Sequence, residues 1–360
     1  MTCGDQQGAG AADNGGGSSG NSGNSGGAGQ IIGTPPTGSW NNATSNLAGM
    51  KAGFANMTYA SAKPDEDKVI SGLSELGLWE SSDGGQSWQA MGTGVDSAII
   101  PNRPSSIQYD PEHPHVFWES GSYGSGVFRT DDNGVTFFQL GTFGGTDAIS
   151  IDFADPDRQT MLASGHEEGH LLRRSVDGGS NWEEIGTANL PSEVGACNYP
   201  LVLNDEIFLF SCSRFGGVSM WGILGSLDGG ETWTVQGKIP ASREALLASD
   251  GTIFWSGEGG GLLRSADQGQ TWTSIPIEKL LEVHPIELPD GRIATLTEQY
   301  VIVSEDKGLT WSPVTSATPF RGEGLTYSEQ QQAFFIWRAS TTETVPDDSL
   351  ARYDWDFAAP

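Results

Sequence analysis

Residues 164–172 read SGHEEGHLL, and within them His166-Glu167-Glu168-Gly169-His170 has the H-E-x-x-H spacing of a zinc hydrolase. On a helix, positions i and i+4 share a face, so both imidazoles reach one metal and the first glutamate is placed as general base. The chemistry therefore depends on the element that carries the motif. Its flanks, TMLAS and HLLRRS, are short β-like runs, and Gly165 and Gly169 bracket it. In a loop between strands the two histidines lose their helical relation, and a zinc peptidase is rejected. What stays expected of His166, Glu167, Glu168 and His170 is projection from a loop, where a divalent metal or a sugar would be met jointly with neighbouring elements.

The elements that position this loop are set by a repeat. One eight-residue phrase occurs six times: SSDGGQSW from 81, TDDNGVTF from 130, SVDGGSNW from 175, SLDGGETW from 226, SADQGQTW from 265 and SEDKGLTW from 304. Asp83, Asp132, Asp177, Asp228, Asp267 and Asp306 are placed to accept hydrogen bonds from turn N–H groups. The glycine two positions on permits positive φ, and the closing aromatic anchors the next strand. The phrase resembles the Asp-box, or bacterial neuraminidase repeat, of sialidases, xyloglucanases, sortilin-type receptors and a photosystem II assembly factor. That resemblance implies a β-propeller in which the six aspartates are structural and lie on the face opposite the ligand funnel.

Successive aspartates are 49, 45, 51, 39 and 39 positions apart, about one four-stranded blade each. The third unit reads AISIDFADP, RQTMLASG, HLLRRSVD and NWEEIG, four short β segments with the repeated turn between the last two. After Trp311, GLTYSEQ, AFFIWRAS and SLARYDWDF give three further strands without the turn, while TGSWNNAT at 37–44 resembles the strand that follows each turn. The expectation is an all-β, seven-bladed propeller over 37–360, closed by the N-terminal strand, with six blades as the alternative.

Composition bounds the partners. With 18 Lys and Arg against 46 Asp and Glu, the formal net charge is −28, which excludes nucleic acid as a ligand. Nothing in the chain is a run of about 18 apolar residues. Cys3 followed by a polar stretch and then AADNGGGSSGNSGNSGGAG resembles the mature end of a bacterial lipoprotein. The expectation is a lipid-bearing Cys3, its signal region removed, on a flexible tether over 1–36. This places the chain outside the cytoplasm, in the periplasm or on the cell surface, as a monomer.

Cys197 and Cys212 lie in ACNYPLVLNDEIFLFSCSRF. If Asn204-Asp205 is a two-residue hairpin turn, Leu203 pairs with Glu206 and the index sum is 409. The two cysteines share that sum and would face each other as a disulfide.

The funnel loops supply the ligand candidates: Arg103, Glu119, Tyr123, His166, Glu167, His170, Arg214, Trp221, Arg243 and Arg321. Arginines, carboxylates and aromatics together make up a glycan or protein site. The sialidase resemblance implies a carboxylate clamp of Arg214, Arg243 and Arg321, Tyr300 with Glu298 or Glu282 as nucleophile pair, and Asp96 as acid. Against it, the segment before the first repeat, FANMTYASAKPDEDKVISG, lacks the Phe-Arg-Ile-Pro pattern. A hydrolase acting through two carboxylates would draw on Asp96, Glu258 or Glu298. The readings left open are a glycan- or protein-binding surface module, a glycoside hydrolase or lyase, and an assembly factor, with no cofactor beyond the divalent metal considered above.

Overall fold

The computed structural model describes residues 28–53, 57–166, 169–214 and 218–356. Cys3 and Glu167 lie outside them.

Seven antiparallel sheets follow one another along the chain and form a seven-bladed propeller. The inner strands are Met57–Ala62, Arg103–Tyr109, Thr146–Ile151, Cys197–Val202, Ala241–Leu247, Ile286–Glu287 and Gly324–Ser328. Closure is as the sequence predicts: Asn41–Asn42 forms the outer strand of blade seven, with Asn41 opposite Arg352 and Asn42 opposite Ala351. The buried Thr44 hydroxyl accepts from the Leu350 N–H at 2.9 Å and fixes the end of this pairing.

The leader boundary needs correction. Gln30–Ile31, within the segment read as tether, pairs in parallel with Thr310 and Trp311 and adds a fifth strand to blade six.

The core is divided among the spaces between blades. One apolar cluster fills each junction: Trp118, Ile149 and Met161 pack between blades two and three, and Phe254, Leu262, Ile302 and Trp311 between blades five and six. A blade is therefore covered on both faces, and its second strand reads as continuous buried residues, as in Phe208–Cys212 or Ala333–Trp337.

All six repeated phrases fold into the same turn. In blade four, Asp228 accepts from the Thr232 N–H at 2.9 Å and the Ser226 hydroxyl at 2.8 Å, and the Gly230 N–H donates to Ser226 Oγ at 2.8 Å. Hydrogen bonds from Thr232 hold the Asp228 carboxyl below its ordinary range. Gly230 has φ +90°, and a β-carbon there would stand 2.7 Å from Ile185 at the end of blade three. Its two constraints are thus backbone conformation and contact with the preceding blade.

Candidate functional site

The inner strands start at one end of the ring and converge there. Five of them carry a register shift close to that start, as between Asn198 and Pro200 or between Ser242 and Leu246. Bulges re-aim side chains out of the sheet alternation. Tyr199 and Arg243 sit in two of these irregularities with φ +59° and +64°, and the Trp255 indole holds the Arg243 carbonyl at 2.7 Å. Both side chains face a cavity of about 230 Å³ on the ring axis, to which all seven blades contribute.

Aromatic groups from Tyr59, Tyr199 and Trp337 stand beside the charged side chains of Arg103, Asp147 and Glu323. Asp147 accepts or shares a hydrogen bond with His166 Nδ1 at 2.6 Å, and the Tyr123 ring meets the imidazole edge-on at 4.3 Å. Arg103 lies over the Tyr123 ring at 5.9 Å. Arg243 approaches Glu323 at 3.9 Å. Burial pushes the Tyr199 phenol above its ordinary range against the pull of Arg243.

Glu244 forms the cavity floor. It is 7% exposed and accepts from the Ser106 hydroxyl and from Gln108 Nε2, at 3.1 Å for the latter, so that a blade-five side chain crosses to blade two. Burial pushes its carboxyl up, opposed by His284 and these donors. Beyond it lies a second axial cavity of about 460 Å³, open toward the repeated turns and also bordered by Tyr59, Glu244 and His284.

A lateral cavity of about 440 Å³ adjoins the funnel on the same face. It shares Tyr199, Arg243 and Glu323 and extends to Arg321.

The structure sorts the sequence candidates. It gathers Arg103, His166 and Arg243 in the funnel, with Tyr123 packed against two of them and Arg321 next door. Arg214 instead stacks on Trp221 at 5.0 Å, so the three expected clamp arginines do not meet, and Arg103 stands with Arg243 in its place. Glu119 is not a loop residue. It lies within the second strand of blade two, opposite Ile107 and Phe128, fully buried, with Asn102 Nδ2 at 3.2 Å. Burial drives its carboxyl up to about 8, only partly opposed by Asn102.

Asp96, Glu258, Glu298 and Tyr300 do not line the funnel. Asp96 sits in the connection from blade one to blade two, and Tyr300 packs on the core between blades five and six. His170 meets the Val194 carbonyl at 3.0 Å, so the two histidines of the opening motif hold separate partners. Among the described residues, the side chains grouped closely enough for a metal are Asp110, Glu112 and His113, on the opposite face, where Arg158 already occupies Asp110 through two 3.0 Å hydrogen bonds.

Tyr59, Ser105 and Trp337 were missed by sequence reasoning. They lie on strands rather than in loops, and the bulge that turns Ser105 out of register leaves no compositional mark. The available signal was position, near the start of an inner strand for Tyr59 and Ser105 and opposite such a start for Trp337.

No protein-family model and no curated protein sequence matches the chain. Solved structures do. A GH74 enzyme of Niastella koreensis superposes with TM-score 0.59 at 17% identity over 85% of this chain and 44% of that one. YCF48 bound to a D1 peptide gives 0.57 at 15% identity over 92% and 99%. The extracellular domain of BT4673 from B. thetaiotaomicron gives 0.60 at 9% identity over 89% and 40%. The chain thus spans less than half of the GH74 enzyme and of the BT4673 domain. At such identities the likeness concerns the fold, and the chain stands among the β-propellers.

Proposed function

We propose that this propeller binds a glycan in its axial funnel and acts as an exported surface module, anchored through Cys3. The observation that carries the reading is the funnel lining: three aromatic rings beside arginine, carboxylate and amide groups, drawn from every blade into one cavity of about 230 Å³. Aromatic faces suit the C–H surface of a sugar, and planar polar groups suit its hydroxyls. The structural similarity to a GH74 enzyme is consistent with a carbohydrate setting.

Titration calorimetry against an oligosaccharide panel tests it. Wild type should bind at least one member, and Trp337→Ala should weaken that binding about tenfold or more, a loss of about 1.4 kcal/mol. Absence of binding across neutral and acidic members would discard the reading. Mass spectrometry of the protein from native membranes tests the anchor, which requires an acylated Cys3.

One observation favours a second reading, glycoside hydrolysis. Glu244 is held toward its protonated form by burial, while Asp147 and Glu323 line the same cavity with more solvent about them. A buried carboxyl facing more exposed ones across a cavity suits an acid and its partner. Reducing-end release from a polysaccharide, abolished in Glu244→Gln, would establish it.

A further inference from the structure

The funnel and the lateral cavity form one path, because Tyr199, Arg243 and Glu323 border both. Arg103 stands at one end of this path, Arg243 at the shared wall and Arg321 at the far end. In a chain with 46 acidic residues, arginines are expected to find carboxylates. Here they do not.

Among the described residues, Arg103 makes no hydrogen bond or ion pair through its guanidinium, and its contact is the Tyr123 ring. Arg321 likewise has no side-chain ion pair there. Arg243 has the 3.9 Å approach of Glu323 and a side-chain hydrogen bond with Tyr199. Burial disfavours the charge on Arg103 first; Arg243 disfavours it further, against Tyr123, Glu323 and Asp147. Two like charges are thus held together in a cavity, and one of them is placed by a left-handed backbone that costs energy to maintain.

Apart from Glu323, which faces Arg243, the surrounding acids are committed elsewhere. Glu282 accepts from the Ser242 hydroxyl and the Gly259 N–H, both at 2.8 Å. Asp147 is joined to His166 at 2.6 Å. Glu244 serves Ser106 and Gln108. The path therefore presents three guanidinium groups in series, those of Arg103 and Arg321 with their planar donor edges unused, an arrangement that carboxylates complete.

We infer that the ligand is an acidic oligosaccharide whose uronate carboxylates are taken in turn by Arg103, Arg243 and Arg321. The inference rests on the glycan reading above and adds the charge and the extended, multi-residue character of the ligand. Sugar rings would lie against Tyr199 and Trp337 between the charged contacts.

The test is calorimetry of the full chain at low salt with tetragalacturonate, its fully methyl-esterified neutral form, a sulfated tetrasaccharide and a glutamate-rich peptide. Expected are binding of the uronate, a loss of about tenfold or more on esterification, and a comparable loss in Arg103→Gln and in Arg321→Gln. Both variants should keep a melting temperature close to wild type, since neither guanidinium has a hydrogen-bonded or ionic partner among the described residues and Arg103 gives up only its contact with the Tyr123 ring. Equal binding of the neutral and acidic forms, unchanged in the variants, overturns this inference and leaves the glycan reading standing. Preference for the sulfated sugar or for the peptide overturns the uronate assignment. No binding by any oligosaccharide overturns both readings.

Discussion

Glu244 of blade five accepts the hydroxyl hydrogen of Ser106 in blade two, and this contact closes the propeller axis between the funnel and the opposite cavity. Gln108 adds a second donor at 3.1 Å. Two non-adjacent blades are thereby joined directly, as blades five and seven are by the approach of Arg243 to Glu323. Glu244→Ala should lower stability by about 1–3 kcal/mol, since buried Ser106 loses its acceptor. Glu244→Gln, which keeps an acceptor oxygen, should lose less; urea denaturation of both variants checks the order.

Glu119 predicts a pH dependence of opposite sign to that of ordinary acid unfolding. Its folded value is about 8 against an ordinary 4.5. Its stabilising contribution is therefore complete below about 4.5 and is lost as pH rises through about 8, with a slope of at most about 1.4 kcal/mol per pH unit. Glu119→Gln should match wild type near pH 5 and melt higher above pH 8. Thermal melts across that window that stay parallel for the two proteins would refute it.

Arg158 behaves in the usual direction. Burial opposes charge on Asp110, but the hydrogen bonds from Arg158 overcome it and hold the carboxyl at about 2. The pair's contribution is present above about 3.8 and fades as pH falls toward 2. At neutral pH Arg158→Ala leaves a buried carboxylate without its partner, and should cost about 3–5 kcal/mol in chemical denaturation.

The Cys197–Cys212 disulfide joins positions 15 apart in the first hairpin of blade four. Loop closure of that length corresponds to about 3 kcal/mol in the chain-entropy estimate. Reduction, or replacement of both cysteines by alanine, should lower the melting temperature without changing the β-rich circular dichroism at 25 °C.

Deleting residues 37–44 removes the outer strand of blade seven together with buried Ala43 and Thr44. A fall in melting temperature of more than about 5 °C is expected, the scale of a loss of ~2–3 kcal/mol in a chain of this size. Calorimetric scans of the shortened protein provide the comparison.

That same hairpin shows how much the sequence discloses. Expecting a two-residue turn gives an index sum of 409, which pairs Cys197 with Cys212. The strands near the turn pair instead as Val202 with Phe208 and Leu201 with Leu209, a sum of 410, because the turn holds one more residue. The shift between Asn198 and Pro200 then restores 409 at the cysteines. Two omissions cancelled, and the one that mattered for the site was the bulge, because it points Tyr199 into the funnel.

Blade number and closure were legible because the turn phrase recurs and each copy reports its own blade. The site was legible only in part. Arg103 and Arg243 were found from their places near blade connections and His166 from the loop between two strands of one blade, whereas Tyr59 and Trp337 belong to strands and meet the others only when the ring closes. Glu119 was misplaced by composition alone: a carboxyl within a strand looks like a loop acid until its neighbours, Trp118 and Phe117, are seen to be fully buried.

The glycine of each repeated turn leans on the blade before it: Gly85 on Ala43, Gly179 on Leu140, Gly230 on Ile185 and Gly308 on Ile275. Blade seven lacks this turn, so the flank of blade six has no such clasp. Gln30–Ile31 lies there, in parallel with Thr310 and Trp311. An uncovered strand of this kind is a template for pairing with other chains. The short N-terminal strand thus takes the place of the missing clasp: the flank that the repeat leaves bare is covered by two residues that precede the ring.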